Sequence, residues 1–253
     1  MVKPGLVSVT FRDKPADEVL EIAAKCGLMG IEWGENAHVM PGDPEGAAEL
    51  RRKTQGKGLA VAGYGSYFRL CTAEKPAEAF RPSLESAQAL GAPYIRVWAG
   101  TLPSAEADEA YRNRAAEEAR VICTMAEEAG IKIALEWHKN TLTDTNESAF
   151  RFLEETAHDN LYCLWQPTVA LSLEERQEGL GRLGDRLLNI HTYYWPEGKR
   201  APFEGGFREW RYYLEKLPAG DRYMLLEFVK DNTPEQLAED AEALKRFIKE
   251  INP

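Results

Sequence analysis

Cysteine is sparse in this chain and never paired. Cys26, Cys71, Cys123 and Cys163 lie far apart, with no Cys-x-x-Cys spacing. That argues against a four-thiolate zinc site, and it suits a reducing compartment where thiols serve as small buried apolar residues. No apolar run approaches ~18 residues, so no transmembrane helix is expected. The opening Met1-Val2-Lys3-Pro4-Gly5 lacks the basic region and long apolar stretch of a secretion signal, and a cytoplasmic location is the resulting expectation. Basic residues are in deficit, with 31 Lys plus Arg against 41 Asp plus Glu and a net charge of −10. Such a surface repels nucleic acid except at a local basic patch, and neither nucleic acid nor membrane is expected as a partner. No Gly-x-Gly-x-x-Gly turn follows the first expected strand. Phe11-Arg12-Asp13-Lys14-Pro15 stands there instead, which disfavours a dinucleotide-binding open sheet. No Pro/Gly/Ser-rich linker divides the chain, so residues 1–253 are read as one domain.

What is present is alternation. Short runs rich in β-branched and aromatic residues recur at Gly5–Phe11, Gly30–Trp33, Leu59–Tyr64, Tyr94–Trp98, Ile131–Trp137, Leu161–Trp165, Leu187–Thr192 and Tyr223–Val229, and these predict strands. Charged stretches with helical spacing separate them. Pro15–Cys26 puts Val19, Ile22, Ala23 and Cys26 on one face, and Glu106–Ala129 does the same with Ala115, Ala119, Ile122 and Ala126. The last helix opens at Thr233-Pro234-Glu235-Gln236, a cap, a proline and a capping-box spacing in sequence. Gly27, Gly91 and Gly130 mark helix ends, each followed within a few residues by a strand. Eight such units in ~250 residues fit an α/β chain folded as a (β/α)₈ TIM barrel.

Barrels carry their chemistry at the C-terminal ends of the strands. Here those ends read Glu32-Trp33-Gly34 with His38 beyond, then Tyr64 to Arg69, Arg96-Val97-Trp98, Glu136-Trp137-His138, Trp165-Gln166, Ile190-His191 and Leu226-Glu227. Glu136 and Glu227 are lone acids in apolar strands. A buried carboxylate needs a cation, a hydrogen-bond partner or a raised pKa. Two carboxylates and the imidazole of His191 converging on a barrel mouth suit a divalent metal. A buried ion-pair network with arginines such as Arg96 would satisfy the same acids.

Glu on strand 5, a ligand on strand 6, His on strand 7 and Glu on strand 8 is a pattern that resembles the xylose isomerase-like barrels of the sugar-phosphate isomerase/epimerase group. Gly30 to Gly34 with His38 to Asp43, Tyr64-Gly65-Ser66-Tyr67 and Leu142-Thr143-Asp144-Thr145 are similar to members of that group, and the likeness spans essentially the whole chain. The resemblance implies that Glu136, Gln166, His191 and Glu227 bind one divalent ion, and that Glu136 and Glu227 exchange protons with the substrate carbon. The strand 6 ligand is usually Asp. Gln166 removes one negative charge, which implies weaker metal binding and greater tolerance of an anionic substrate or enediolate. The mixed N/O ligand set suits Mn, Co, Zn or Fe, with Mg also admissible, over Ca.

The expected function is therefore a metal-dependent isomerase or epimerase of a sugar or related hydroxy-carbonyl compound, working by proton abstraction and return. Glu32, His38, Tyr64, Arg69, Arg96, Trp98, His138, Lys199 and Arg200 are the candidate substrate contacts, with Lys139 a further cation. The loop Tyr193 to Arg200 combines rings and cations as a lid over a sugar would. A dehydratase of polyols or keto-sugars on the same site is the alternative. A non-catalytic sugar-binding barrel, with Gln166 marking a lost metal, is another. The fold group also includes endonuclease IV, whose multi-metal cluster needs more histidines than His38, His138, His158 and His191. Barrels of this group often pair, which leaves a homodimer as an open expectation.

Overall fold

The computed structural model describes residues 1–252. Eight parallel strands close into a barrel in chain order. They are β1 Val2–Val7, β2 Gly30–Gly34, β3 Ala60–Arg69, β4 Tyr94–Trp98, β5 Lys132–Glu136, β6 Leu161–Trp165, β7 Leu187–Thr192 and β8 Arg222–Leu226. Helices follow them in turn: α1 Ala16–Lys25, α2 Pro44–Gly56, α3 Pro76–Leu90, α4 Glu109–Glu128, α5 Asn146–Thr156, α6 Leu173–Arg182, α7 Phe207–Leu214 and α8 Pro234–Ile251. No described helix is long and apolar enough to cross a membrane.

The period of two along each strand divides the core. Leu6, Ile31, Ile95, Val97, Ile133, Leu135, Ile190 and Leu226 join the large apolar layer between barrel and helices. Trp33, Trp137 and Trp165 belong to the same layer, which accounts for three of the four strand-end tryptophans as packing. The alternate residues form smaller inner clusters, Val7, Val9, Ala62 and Leu225 in one and Tyr94, Ala134 and Leu164 in another. One step further along those inner rows stand Arg96, Glu136, Gln166, His191 and Glu227. Their inward direction follows from the pleat.

Below them the barrel is filled. The Tyr94 ring lies across Gly63, where an added Cβ would meet its Cζ at 2.2 Å, so only glycine fits. The Tyr94 hydroxyl donates to Glu32 Oε2 at 2.7 Å and accepts from Asn189 Nδ2 at 3.0 Å.

Several boundaries differ from the sequence reading. β1 ends at Val7, and Ser8–Phe11 turn into a 3₁₀ helix. The pattern Val-Ser-Val-Thr-Phe looks like strand, but Ser8 Oγ accepts from Gly34 N at 2.8 Å and Thr10 Oγ1 from Phe228 N at 3.0 Å. Those long-range bonds pull the segment off the ladder. β3 runs on to Arg69, β5 stops at Glu136 and β8 stops at Leu226. Gly27, Gly91 and Gly130 all have the left-handed conformation expected after a helix, with φ of 65°, 71° and 71°. At α8 the Thr233 hydroxyl accepts from Gln236 N, but Gln236 turns its own side chain to Asp240, so the reciprocal half of the capping box is not made. Cys71 is half-buried, whereas the other three cysteines are buried.

Candidate active site

His191 is fully buried at the end of β7 and stands at the centre of the site. Its Nε2 lies 3.1 Å from Glu32 Oε2. Its Nδ1 lies 3.5 Å from Glu136 Oε1 and 3.4 Å from Glu227 Oε2, and has no hydrogen-bond partner. Burial alone would lower its pKa, but Glu32 and Glu227 outweigh that and raise it well above the ordinary imidazole value. One ligand atom from each of Glu136, His191 and Glu227 falls within 4.8 Å of the others. An orphaned ring nitrogen between two carboxylates fits a cation. A proton can fill the position, and so can a metal ion. Glu32 holds the ring from behind, as the outer carboxylate of a carboxylate–histidine–metal arrangement does. The charges agree. With His191 neutral, Glu32, Glu136 and Glu227 face Arg96 alone, and a dication cancels the remainder.

The two mouth glutamates are not equivalent. Arg96 Nη1 and Trp98 Nε1 both donate to Glu136 Oε2, and Gln166 Nε2 donates to Oε1 at 3.0 Å. Burial would raise the Glu136 pKa, but the Arg96 guanidinium and His191 overcome it and hold the carboxyl well below the usual range. Glu227 receives no side-chain hydrogen bond among the described residues. It sits just past β8, where the next residue, Phe228, takes the left-handed conformation at φ 54°. Such a conformation costs about 1–2 kcal/mol for a residue with a Cβ, and here it turns the chain so that both Glu227 and the Phe228 ring face the cavity. The fold therefore contains the buried Arg96 network that was the alternative reading of these acids, together with a cluster that fits a metal.

Above this floor is a cavity of ≈ 290 Å³. Its walls are Tyr67, Trp98, Tyr193, Trp195 and Phe228, with Arg12, His138, Lys139 and Thr168 between them. Tyr193 and Trp195 stack at 4.3 Å, and Trp210 Nε1 donates to the Tyr193 carbonyl at 2.9 Å, which fixes the start of the loop from Tyr193 to Arg200.

Of the predicted site residues, Glu136, Gln166, His191, Glu227, Arg96, Trp98 and His138 are brought together at this mouth. Gln166 spends its amide N–H groups on Glu136 and on the Trp137 carbonyl at 2.8 Å. Glu32 lies beneath His191 and not on the cavity wall. Arg69 stacks on the Trp98 ring at 3.8 Å. His38 does not reach the cavity. Its ring nitrogens meet Ser8 Oγ at 2.9 Å and the Lys14 carbonyl oxygen at 3.1 Å, and its ring packs on Trp33. Tyr64 points outward, with its hydroxyl donating to buried Glu35 at 2.9 Å. Both are parts of the scaffold. Lys199 is exposed on that loop, and Arg200 lies over the Phe228 ring while donating to Asn232 Oδ1 at 2.9 Å. Sequence reasoning missed Arg12, Tyr67, Thr168 and Phe228. Arg12 already follows the first expected strand in the sequence, but a single cation in a β–α loop carries no signal that its side chain lines the mouth.

The closed barrel carries an acid-rich mouth with a ready cation position formed by Glu136, His191 and Glu227. Residues 20–247 match the xylose isomerase-like TIM barrel family, and the chain belongs to it. It is 27% identical over 167 residues to 3-dehydroshikimate dehydratase of Bacillus anthracis, a match covering 63% of this chain and 60% of that protein. The fold is similar to the crystal structure of the probable 3-DHS dehydratase AsbF of Bacillus anthracis, with TM-score 0.84, 19% identity, and 96% and 98% of the two chains covered. L-Ribulose 3-epimerase also shares the fold, with TM-score 0.70, 15% identity, and 100% and 99% covered.

Proposed function

We propose that this chain is a metal-assisted dehydratase of a small hydroxylated oxo compound, with Glu227 as the group that moves the proton. The observation that carries this is the inequality of the two glutamates. To epimerise, a second group must deliver a proton to the opposite face of the carbon, so it must first hold one. Glu136 is kept ionised by Arg96, its Oε2 accepts from both Arg96 and Trp98, and its Oε1 accepts from Gln166 with one acceptor position left for a cation. Elimination needs only one mobile carboxyl.

Glu136, His191 and Glu227, with the Gln166 carbonyl oxygen, are the residues that would hold a divalent ion. When bound, such an ion supplies a Lewis acid that acidifies the C–H bond next to a carbonyl. Glu227 removes that proton. The electron pair forms the carbon–carbon double bond as the hydroxyl one carbon further leaves. The Glu227 carboxyl then returns its proton to the departing hydroxide, and water is lost. Arg96 and Trp98 keep Glu136 fixed as a negative wall. Tyr193, Trp195 and Phe228 exclude bulk water.

The likeness to 3-dehydroshikimate dehydratase makes 3-dehydroshikimate the first compound to assay, with Mn(II), Co(II), Zn(II), Fe(II) or Mg(II) and detection of the aromatic dehydration product. No product with any of these metals would sink the dehydratase reading. The second reading, sugar epimerisation, is favoured by the fold shared with L-ribulose 3-epimerase. It predicts solvent deuterium at the inverted carbon of a ketose in D₂O. Turnover of either kind separates an enzyme from a binding barrel.

A further inference from the structure

Asn189 lies on β7 just before Ile190 and His191, and it is buried. β7 carries an extra residue at this level, because two steps along β6 from Cys163 to Trp165 match three along β7 from Leu187 to Ile190. Such a bulge re-aims a side chain. The Asn189 amide meets Tyr94 of β4 inside the barrel, and neither residue lines the reaction cavity. The partners of this amide leave it one orientation. Its Oδ1 lies 2.8 Å from the Tyr223 backbone N, which can only donate. Its Nδ2 lies 3.4 Å from the Ala62 carbonyl oxygen, which can only accept, and 3.0 Å from the Tyr94 hydroxyl. The Tyr94 oxygen therefore receives a proton from Asn189 and spends its own on Glu32 Oε2 at 2.7 Å. The other oxygen of Glu32 faces Arg96 Nε, a donor only, at 3.6 Å. Both Glu32 oxygens are thus acceptors. His191 Nε2, 3.1 Å from Oε2, carries the proton between them. What remains of the ring is Nδ1, turned to Glu136 and Glu227.

We propose that Asn189 and Tyr94 are positioning residues that act through Glu32 to fix a His191 proton on Nε2 and reserve Nδ1 for a metal ion. The proposal rests on the metal cluster of the dehydratase reading and adds what aims its imidazole from the closed end of the barrel. Each bond in the chain has one possible direction, so each member dictates the next. Without the Tyr94 hydroxyl, Glu32 Oε2 loses its second donor. The carboxylate can then turn toward Arg96, and the two ring nitrogens can exchange roles.

Magnetic resonance of protein labelled with nitrogen-15 in its histidine rings reads the proton directly. In the metal-free parent the His191 Nε2–H should exchange slowly with water. In the Zn(II)-loaded parent it should persist while Nδ1 carries no proton. Tyr94→Phe keeps the ring over Gly63 and removes only the hydroxyl. It should speed Nε2–H exchange and weaken Zn(II) binding by about 10–100-fold, the usual cost of losing an outer partner of a metal-bound histidine. Asn189→Leu should move both readouts the same way by less, because Tyr94 can still donate to Glu32. Leu187→Ala, on the same strand but in the layer facing the helices, is the control. Its melting temperature should fall while both readouts stay parental. A Zn(II)-loaded His191 with its proton on Nδ1 would overturn the lock, as would parental exchange and affinity in Tyr94→Phe. Equal loss of Zn(II) in Leu187→Ala and Tyr94→Phe would also overturn it, by showing that general loosening suffices. A parent that binds no Zn(II), yet whose slow exchange is accelerated by Tyr94→Phe, would support the lock and overturn the metal-assisted reaction.

Discussion

Glu136 and Glu227 look alike in the sequence, and their neighbours separate them. Glu227→Gln should lower kcat for dehydration by about 10²–10⁴-fold, the usual reach of a positioned acid–base group. Its melting temperature should fall less than that of Glu136→Gln, since Glu227 faces His191 Nδ1 at 3.4 Å but takes no bond from Arg96, Trp98 or Gln166. Glu136→Gln should cost stability as well, because it strips the Arg96 guanidinium of its nearest carboxylate in a buried setting. The reverse change, Arg96→Met, leaves Glu136 and Glu32 buried without their arginine, and should destabilise by about 3–5 kcal/mol in denaturant unfolding. If Arg96→Met unfolds at the parental midpoint, the network does not hold the site together. The lone-acid signal in the sequence located both glutamates, yet it said nothing of their difference. That difference lies in Trp98 and Arg96 on β4 and Gln166 after β6, which meet Glu136 only once the sheet closes.

At the scale of elements, α8 ties the segment after the Tyr193 to Arg200 loop to the barrel. Asp240 on this helix accepts from Phe203 N at 2.9 Å and from Gln236 Nε2 at 3.0 Å. Burial pushes its carboxyl up to about 6 in spite of those bonds. The folded value exceeds the unfolded one, so the fold favours the protonated form. Its contribution is complete below pH ~4 and is lost as pH rises through about 6. The melting temperature of Asp240→Asn, relative to the parent, should therefore climb between pH 4 and pH 6 and then level off. A difference that stays flat with pH would remove Asp240 as a titrating anchor. Element identity was largely legible in the sequence, because β-branched runs and helix-ending glycines are local signals. β4, β6 and β7 fall where the pattern put them. The end of β1 was not legible, since it is set by bonds from Ser8 to Gly34 and from Thr10 to Phe228, residues distant in sequence. His38 was misjudged for a related reason, since its distance past β2 does not tell that Ser8 and Lys14 would capture its ring.

For the molecule as a whole, filling the cation position should act as a staple between β5, β7 and β8. At a hundredfold excess over Kd a ligand adds about 2.7 kcal/mol of stability. For a chain of this length that is about 5–10 °C in melting temperature. Mn(II) or Zn(II) should produce such a rise, a chelator should reverse it, and His191→Ala should abolish it. Because His191 prefers a proton when no metal competes, the rise should shrink on acidification. An unchanged melting curve with every divalent ion would leave the charge network complete in itself.

The ring of Tyr94 seated on Gly63 has a kinetic corollary. The recess at the opposite end of the barrel, lined by Tyr94 and Asn189, ends at that same ring, so the reaction chamber is a cul-de-sac. On the dehydratase reading proposed above, substrate, expelled water and product share the one doorway beside Tyr193 and Trp195. Occupancy is then strictly one molecule at a time, and product should inhibit competitively against substrate with no ternary complex.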